Sequence, residues 1–266
     1  MIYCIPEGGL NDCFNQLWIC IEYAKKENRE IIFEMSLYAA SNLEDIFDFS
    51  FFPVKIHLKI QKESLFDLKT EPPDFWLDPH KLVTFNLEKS YDKDTLLIYH
   101  KGGGGHRAVN VFKHIQFTDY FIQLLNKEKE KLPKYYYGIH YRATDYEWDG
   151  YIKELLYDEI ENTIKTNPHK MIYLSSDNKT YLNDISRKFV NVIKSSSCDD
   201  LPDEYTSLHS FGKQNGQILE RTLIDLCILA DSEKYFPSKG GYTNLIKHLN
   251  EEKAILNKAL RKNISS

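Results

Sequence analysis

The segment YYYGIHYRATD, residues 135–145, begins the stretch of sequence that decides the fold. Its first seven residues form a largely apolar run that predicts a buried strand, and amphipathic and apolar runs alternate after it. We expect helices over 150–166 and 179–189, and strands over 170–174 and 190–193. Short buried strands that alternate with crossover helices build a mostly parallel sheet. The sequence therefore predicts an α/β protein.

The N-terminal part of the chain has the same pattern. A strand over 1–5, a glycine turn over 6–9 and a helix over 11–28 lead into a strand over 30–33, which completes a βαβ unit. The other expected elements are a strand over 95–99, a helix over 109–129, a helix over 217–230, a strand over 234–236 and a terminal helix over 242–261.

A run of charged residues at 127–131 ends at Pro133, which is the predicted domain boundary. We expect an N-terminal Rossmann-like lobe over 1–132 and a C-terminal Rossmann-like lobe over 133–266. The two lobes are expected to face a cleft, because doubly wound sheets bind ligands outside the carboxyl ends of their strands.

Composition excludes several classes of protein. No apolar stretch reaches the roughly 20 residues of a membrane span, and the N-terminus lacks a basic segment typical of a signal peptide. A net charge of −5 and a pI near 6.0 argue against a nucleic-acid partner. The five cysteines are odd in number and contain no CxxC pair, which favours a reducing, cytoplasmic setting over a disulfide framework or a zinc site.

Polar residues follow four of the predicted strands. In the first of these segments, Gly8 and Gly9 permit a close backbone approach, and the helix after them offers unpaired N–H groups to a phosphate or a sugar hydroxyl. A purely structural turn is the alternative for the two glycines. Glu7 is placed for proton transfer at a strand end, or is simply solvated.

The second segment contains His140 and Arg142, whose spacing of two places both side chains on one side of a strand. An arginine there is suited to clamp a diphosphate, because its charge is permanent and its donors form a fork. We favour this role over a structural one. Asp145 and Asp149 place acid near that cation, and helix capping is the alternative for each of them.

The third and fourth segments also carry hydroxyl groups. Ser176 and Asp177 are placed either to bind a ribose or a base, or to cap the next helix. Residues 238–243 combine small and hydroxylated side chains with Lys239 before a long helix, which is the geometry of an anion site. Asp225 lies inside an apolar helix, so it is expected either to face the cleft or to pair with a cation.

No metal or cofactor site is predicted. The nine histidines show no metal-binding spacing, and Asp92-Lys93-Asp94 is interpreted as a solvated loop. Neither GxGxxG nor a P-loop motif is present.

Taken in order, these motifs resemble the nucleotide-sugar-dependent fucosyltransferase superfamily. The resemblance covers the first 35 residues and most of 135–250. It rests on Gly8-Gly9-Leu10-Asn11, on the HxRxxD pattern His140-x-Arg142-x-x-Asp145, on the YLSSD segment that ends at Asp177, and on the stretch from Asp225 to Gly241. The second arginine of the family's HxRR motif is Ala143 here, which removes one cation from the site and weakens the inference of the sugar's identity, and Tyr146 follows Asp145 in place of a basic residue, so acceptor recognition cannot be transferred.

The resemblance implies a GT-B-like fold and an inverting, metal-independent transfer of a sugar, fucose first, from a GDP-sugar donor to a carbohydrate acceptor. The N-terminal lobe would bind the acceptor and the C-terminal lobe the donor. Arg142 would hold the β-phosphate, His140 would lie near the nucleotide, and Asp177 or Asp225 would bind the ribose or the guanine. The catalytic base would be Glu7 or Asp149. The remaining implied donor contacts are Ser238, Lys239, Gly240, Gly241, Tyr242 and Thr243.

Two alternatives stay open at this point. The first is transfer of another sugar, such as xylose, from a GDP- or UDP-linked donor. The second is a nucleotide-sugar or glycan-binding module that has no turnover.

Overall fold

The structure is a computed structural model, which describes residues 1–35, 41–58, 90, 96–101, 106–142, 150–197, 199 and 216–261. Two parallel sheets of four strands form its framework. This confirms the predicted α/β class with mostly parallel sheets.

The first sheet is built from the N-terminal part of the chain and has the strand order β4-β2-β1-β5. In this sheet β1 is central, and its Ile2 is paired with Ile31 of β2 and with Leu96 of β5. The strands are β1 (Ile2–Glu7), β2 (Ile31–Phe33), β4 (Ile56–Leu58) and β5 (Leu96–Lys101). A separate antiparallel pair joins β3 (Phe47–Asp48) to β6 (Gln116–Phe117).

The second sheet has the order β10-β7-β8-β9 and is also parallel. Its central strand β7 is paired with β8 through His140 opposite Ser175, so the polar ends of the two strands lie side by side. The strands are β7 (Tyr137–Tyr141), β8 (Ile172–Ser176), β9 (Val192–Lys194) and β10 (Lys234–Phe236).

Helices connect these strands along the described ranges. They are α1 (Leu10–Glu27), α2 (Leu43–Ile46), α3 (Ala108–Phe112), α4 (Asp119–Lys129), α5 (Gly150–Thr166), α6 (Lys179–Lys188), α7 (Gln217–Asp231), α8 (Gly241–Glu251) and α9 (Lys253–Ala259). Most of the predicted elements are confirmed to within two or three residues at each end.

Two predicted helices are divided. The helix expected over 109–129 is α3, the short strand β6 and α4, because Phe117 is completely buried against Phe47 and Thr118 then caps α4 by accepting from the N–H of Phe121. The long terminal helix is interrupted at Glu252, whose backbone leaves the helical region. After the break, α9 packs against α3 and β6, so the end of the chain returns to the N-terminal elements.

The core is continuous and rich in aromatic side chains, and four cysteines lie in it as free thiols: Cys4, Cys13, Cys20 and Cys227. Burial raises the pKa of the Cys4 thiol well above its ordinary value, which keeps it protonated and unreactive. Among the described helices, none combines the length and the apolar character that crossing a bilayer requires.

Candidate functional site

A cavity lies where the carboxyl ends of β1, β7 and β8 meet the helices α7 and α8. Its volume is about 100 Å³. The lining residues are Gly9, Leu10, Asn11, Asp12, His140, Arg142, Ser175, Ser176, Asp177, Ser197, Ile218, Thr222, Asp225, Gly241 and Tyr242. Residues that follow strands of both sheets therefore line one cavity. In open α/β sheets, ligands bind at this position, outside the carboxyl ends of the parallel strands.

The N-terminal end of α8 contacts a cation. Gly240 precedes this helix with φ of +123°, a conformation that favours glycine, and no side chain of the described residues caps the helix. A Cβ atom on Gly240 would lie 2.5 Å from Nη1 of Arg142, so the missing side chain is what lets the guanidinium approach. The partial positive charge of a helix N-terminus and a full positive charge thus lie together.

An amide group lies close to the same helix end. A Cβ atom on Gly241 would lie 2.8 Å from Nδ2 of Asn11, which belongs to the first turn of α1. Asn11 is only 3% exposed, and its Nδ2 has no hydrogen-bond partner among the residues that the structure describes. A buried donor without an acceptor is costly, so a ligand that accepts a hydrogen bond here would recover that free energy.

The N-terminal end of α1 is arranged differently. Gly8 has φ of +110°, and the N–H of Gly9 donates a hydrogen bond of 3.2 Å to Oδ2 of Asp12, three residues along the same helix. A Cβ atom on Gly8 would lie 2.8 Å from that carboxylate oxygen. The first turn of α1 is therefore capped by an acid of its own, which makes it a poorer site for an anion.

His140 is buried and neutral. Burial and the positive charge of Arg142 lower the pKa of His140 to about 3, so the imidazole carries no charge at neutral pH. Its Nδ1 lies 3.3 Å from Oγ of Ser238, and its ring contacts that of Tyr242 edge to face with centroids 5.0 Å apart. The ring is held in one orientation and can offer hydrogen bonds without adding charge.

Asp225 is 4% exposed and is surrounded by hydroxyl groups. Oδ1 accepts from the phenol of Tyr173 at 2.6 Å and from Ser195 at 2.7 Å, while Oδ2 accepts from Ser175 at 2.5 Å. Asp225 was expected to face the cleft or to pair with a cation; it lines the cavity, and its observed partners among the described residues are hydroxyls. Burial raises the pKa of Asp225, and the hydroxyl donors act in the opposite direction.

The structure brings many of the predicted site residues together at the cavity: Gly9, Asn11, His140, Arg142, Ser176, Asp177, Asp225, Gly241 and Tyr242. Gly8, Ser238 and Gly240 contact side chains that line it. Lys239 is exposed next to Gly240. Thr243 points elsewhere, since its hydroxyl is buried against the phenol of Tyr235 at 2.5 Å.

The carboxylates proposed as bases are not placed by the structure. Glu7 is the last residue of β1, and only its backbone is described. Asp145 and Asp149 lie outside the described residues, as do Asp92-Lys93-Asp94 and Gly102–Gly105.

Sequence reasoning missed several lining residues. Ile218 and Thr222 precede Asp225 by seven and three positions on α7, so helical spacing alone would have placed all three on one face. Asp12 could also have been predicted, because it is an acid in the first turn of the expected helix α1. Ser197 follows β9 in an irregular segment, where no periodicity indicates which side chains face inward.

A larger cavity of about 950 Å³ lies elsewhere, lined by residues 47–50 and 52–58 together with Glu44, Thr118, Asp119 and Arg261. It contains none of the predicted site residues. Among the described side chains, no group of three or more histidines, cysteines and acids is arranged to hold a metal ion.

No protein-family model and no curated protein matches this sequence. Solved structures do match. Fucosyltransferase NodZ from Bradyrhizobium superimposes with a TM-score of 0.60 at 16% identity, over 92% of this chain and 91% of that chain. The chain has a fucosyltransferase-like fold.

Two further fucosyltransferase-like matches are structures with nucleotide ligands. NodZ α-1,6-fucosyltransferase soaked with GDP-fucose gives a TM-score of 0.58 at 16% identity, over 92% of this chain and 91% of that one. POFUT1 in complex with GDP gives 0.52 at 11% identity, over 97% and 94%. At these identities the likeness establishes the GT-B-like fold, and the chemistry has to be argued from the site itself.

Proposed function

We propose that this chain is a glycosyltransferase that moves a sugar, fucose first, from a GDP-linked donor to a carbohydrate hydroxyl. One observation carries the proposal: the N-terminal end of α8, where the Arg142 guanidinium meets the amide nitrogen of Asn11, which has no hydrogen-bond partner among the described residues. The likeness of the fold to GDP- and GDP-fucose-bound fucosyltransferases supports the same choice.

The diphosphate of the donor binds at this helix end. Backbone N–H groups at a helix N-terminus, the Arg142 cation and the Asn11 amide nitrogen are donors, and phosphate oxygens are acceptors. The cavity, at about 100 Å³, is smaller than the roughly 300–1,000 Å³ of pockets that enclose a whole drug-sized ligand. We infer that it encloses the diphosphate and the donor groups of the nucleoside that reach Ser175, while the rest of the donor extends along the adjoining surface.

The nucleoside lies toward Asp225 and the serines that contact it. Both carboxylate oxygens of Asp225 are already occupied by hydroxyl donors, so its effect on a ligand is indirect. Ser175 gives its proton to Asp225 and therefore presents lone pairs to the cavity. In this role Asp225 is a positioning residue, and the ligand group that meets the serine is a donor, such as a ribose hydroxyl or a base N–H.

The N-terminal sheet with its helices forms the acceptor lobe, over 1–132, and the C-terminal sheet forms the donor lobe, over 133–266. The cavity is lined from both sides, by Gly9 to Asp12 on one and by His140, Arg142 and the α8 end on the other. This arrangement supports two lobes that face a cleft, in which the acceptor approaches from the side of α1.

The transfer is an inverting displacement without a metal ion. As the bond between the anomeric carbon and the β-phosphate oxygen breaks, negative charge grows on the departing diphosphate, and Arg142 and the α8 end stabilise it. The acceptor hydroxyl attacks from the opposite face and loses its proton to a general base. Glu7, at the carboxyl end of β1, and Asp149 are the proposed bases.

Release of GDP from GDP-fucose, followed by chromatography with and without EDTA, tests the proposal. We expect release that persists in EDTA and that falls about 10²- to 10⁴-fold in either Glu7→Gln or Asp149→Asn, with GDP binding retained. Parallel assays with GDP-mannose, UDP-xylose and UDP-glucose identify the sugar. GDP binding without turnover of any donor, unchanged in both variants, would support a binding module instead.

A further inference from the structure

Two histidines from different parts of the chain meet outside the cavity. His106 precedes α3, which follows β5 of the first sheet, and His248 lies in α8, which follows β10 of the second sheet. Nδ1 of His106 is 3.4 Å from Nε2 of His248, and the rings are nearly perpendicular, at 87°. Both side chains reach solvent, and the His248 side chain is 36% exposed.

The distance between these two nitrogens fits ligands of one metal ion. Zinc binds histidine nitrogen at about 2.0–2.1 Å with tetrahedral angles, which separates two ligand nitrogens by about 3.3–3.4 Å. A direct hydrogen bond between the rings would be long, since N–H donors usually lie at about 2.7–3.2 Å from their acceptors.

A neighbouring acid favours the tautomer that metal binding requires. Oε2 of Glu251 lies 3.9 Å from Nδ1 of His248, one helical turn away. Its negative charge favours the proton on Nδ1, which leaves the lone pair on Nε2, the nitrogen that faces His106. At this distance the contact is electrostatic and not a hydrogen bond.

We propose that His106 and His248 bind a divalent transition-metal ion of borderline softness, such as Zn²⁺. Imidazole suits Zn²⁺, Cu²⁺ and Ni²⁺, whereas Mg²⁺ and Ca²⁺ prefer oxygen ligands. Because the described residues form no cluster of three or more ligands, water completes the coordination. The ion links the segment before α3 to α8.

This site is separate from the proposed donor site. His248 lies seven residues along α8 from Gly241, which corresponds to about 10 Å at 1.5 Å per residue. The metal proposal therefore does not depend on the transfer reaction, and its test needs no substrate.

Calorimetric titration of the chelator-treated full chain with ZnCl₂ is the test, with MgCl₂ as the comparison ion. We expect one saturable zinc site, no magnesium binding, and at least tenfold weaker zinc binding in both His106→Gln and His248→Gln. The exposed His169 supplies the control His169→Gln, which should bind zinc as the unaltered chain does.

Thermal unfolding gives a second measurement, because an ion that binds only the native state raises the melting temperature. Zinc should raise it in the unaltered chain and in His169→Gln, and not in His106→Gln or His248→Gln. Zinc binding that survives both substitutions, for example at the buried thiols, or the absence of saturable zinc binding, would overturn the proposal.

Discussion

Two Gly-Gly turns in this chain lead into helices at the same cavity, and they present opposite charges to it. Gly8-Gly9 enters α1 and Gly240-Gly241 enters α8, and the first glycine of each pair has a positive φ, +110° and +123°. At Gly8 the nearest side chain is the carboxylate of Asp12. At Gly240 it is the guanidinium of Arg142.

The glycines of each turn determine the path of the backbone but not the charge that the turn presents. In both turns the glycines set the path of the backbone into a helix. The side chain next to the turn then decides the chemistry. An acid from the same helix caps α1, whereas α8 has no side-chain cap among the described residues and lies beside Arg142, which follows β7. We therefore assign the anion to α8 and not to α1.

The largest expected effect is a loss of GDP affinity when Arg142, but not Asp12, is replaced. Arg142→Ala should weaken GDP binding by about 2 to 4 kcal/mol, because it removes a charge-assisted contact in a half-buried site. Asp12→Ala should cost about 1 kcal/mol of stability through the lost cap and should not weaken GDP binding. Calorimetric titration with GDP and urea unfolding measure both variants.

The exposed Arg187 of α6 provides the control Arg187→Ala, which should bind GDP normally. If Arg142→Ala binds GDP as well as this control does, the assignment of the anion to α8 is wrong.

The glycines themselves give the next effect. In Gly240→Ala the new methyl group meets Arg142 and the backbone is strained, so GDP binding should weaken by about 1 to 3 kcal/mol. In Gly8→Ala the same strain displaces Asp12, so the loss should fall mainly on the free energy of unfolding. Equal losses of GDP affinity in the two variants would show that the two turns do not differ in anion binding.

A pH effect follows from the burial of His140 beside the cation at α8. Burial, and after it the positive charge of Arg142, lower the pKa of His140 to about 3, below its ordinary value of 6.5. The unfolded chain therefore takes up a proton at His140 as the pH falls below 6.5, while the folded chain does not, and stability is lost over that range.

Between pH 7 and pH 5 the unaltered chain should lose about 1 to 2 kcal/mol more stability than His140→Gln. Urea unfolding at the two pH values measures the difference. If the free energy of unfolding changes by the same amount in the two proteins between pH 7 and pH 5, His140 is not held neutral.

The smallest effect concerns Asn11. Asn11→Ala should weaken GDP binding by about 1 kcal/mol through one lost hydrogen bond. Its stability without ligand should hardly fall, because the removed amide nitrogen has no partner among the described residues. Titration and unfolding of the same preparation separate these effects. A large loss of stability with unchanged GDP affinity would assign Asn11 to the framework of α1 alone.

Local patterns in the sequence predicted much of this arrangement. The spacing of His140 and Arg142 placed both on one side of a strand, and both line the cavity. The alternation of apolar and amphipathic runs predicted the parallel sheets. These features depend on neighbours along the chain, which a single sequence displays.

Contacts between distant residues could not be predicted in this way. The approach of Arg142 to Gly240 joins residues 98 positions apart. The hydroxyl partners of Asp225 come from β8 and from the turn after β9. The expected burial of Asp225 indicated that it needs a partner, but not whether that partner is a hydroxyl group or a cation. The helix expected over 109–129 failed for the same reason, because Phe117 packs on Phe47 across the fold.

A crystal structure of the chain with GDP would show where the diphosphate binds. We predict that it lies at the N-terminal end of α8, with the Arg142 guanidinium and the Asn11 amide within hydrogen-bond distance of its oxygens. A diphosphate bound at the Gly8-Gly9 turn, or at a distance from Arg142, would contradict it.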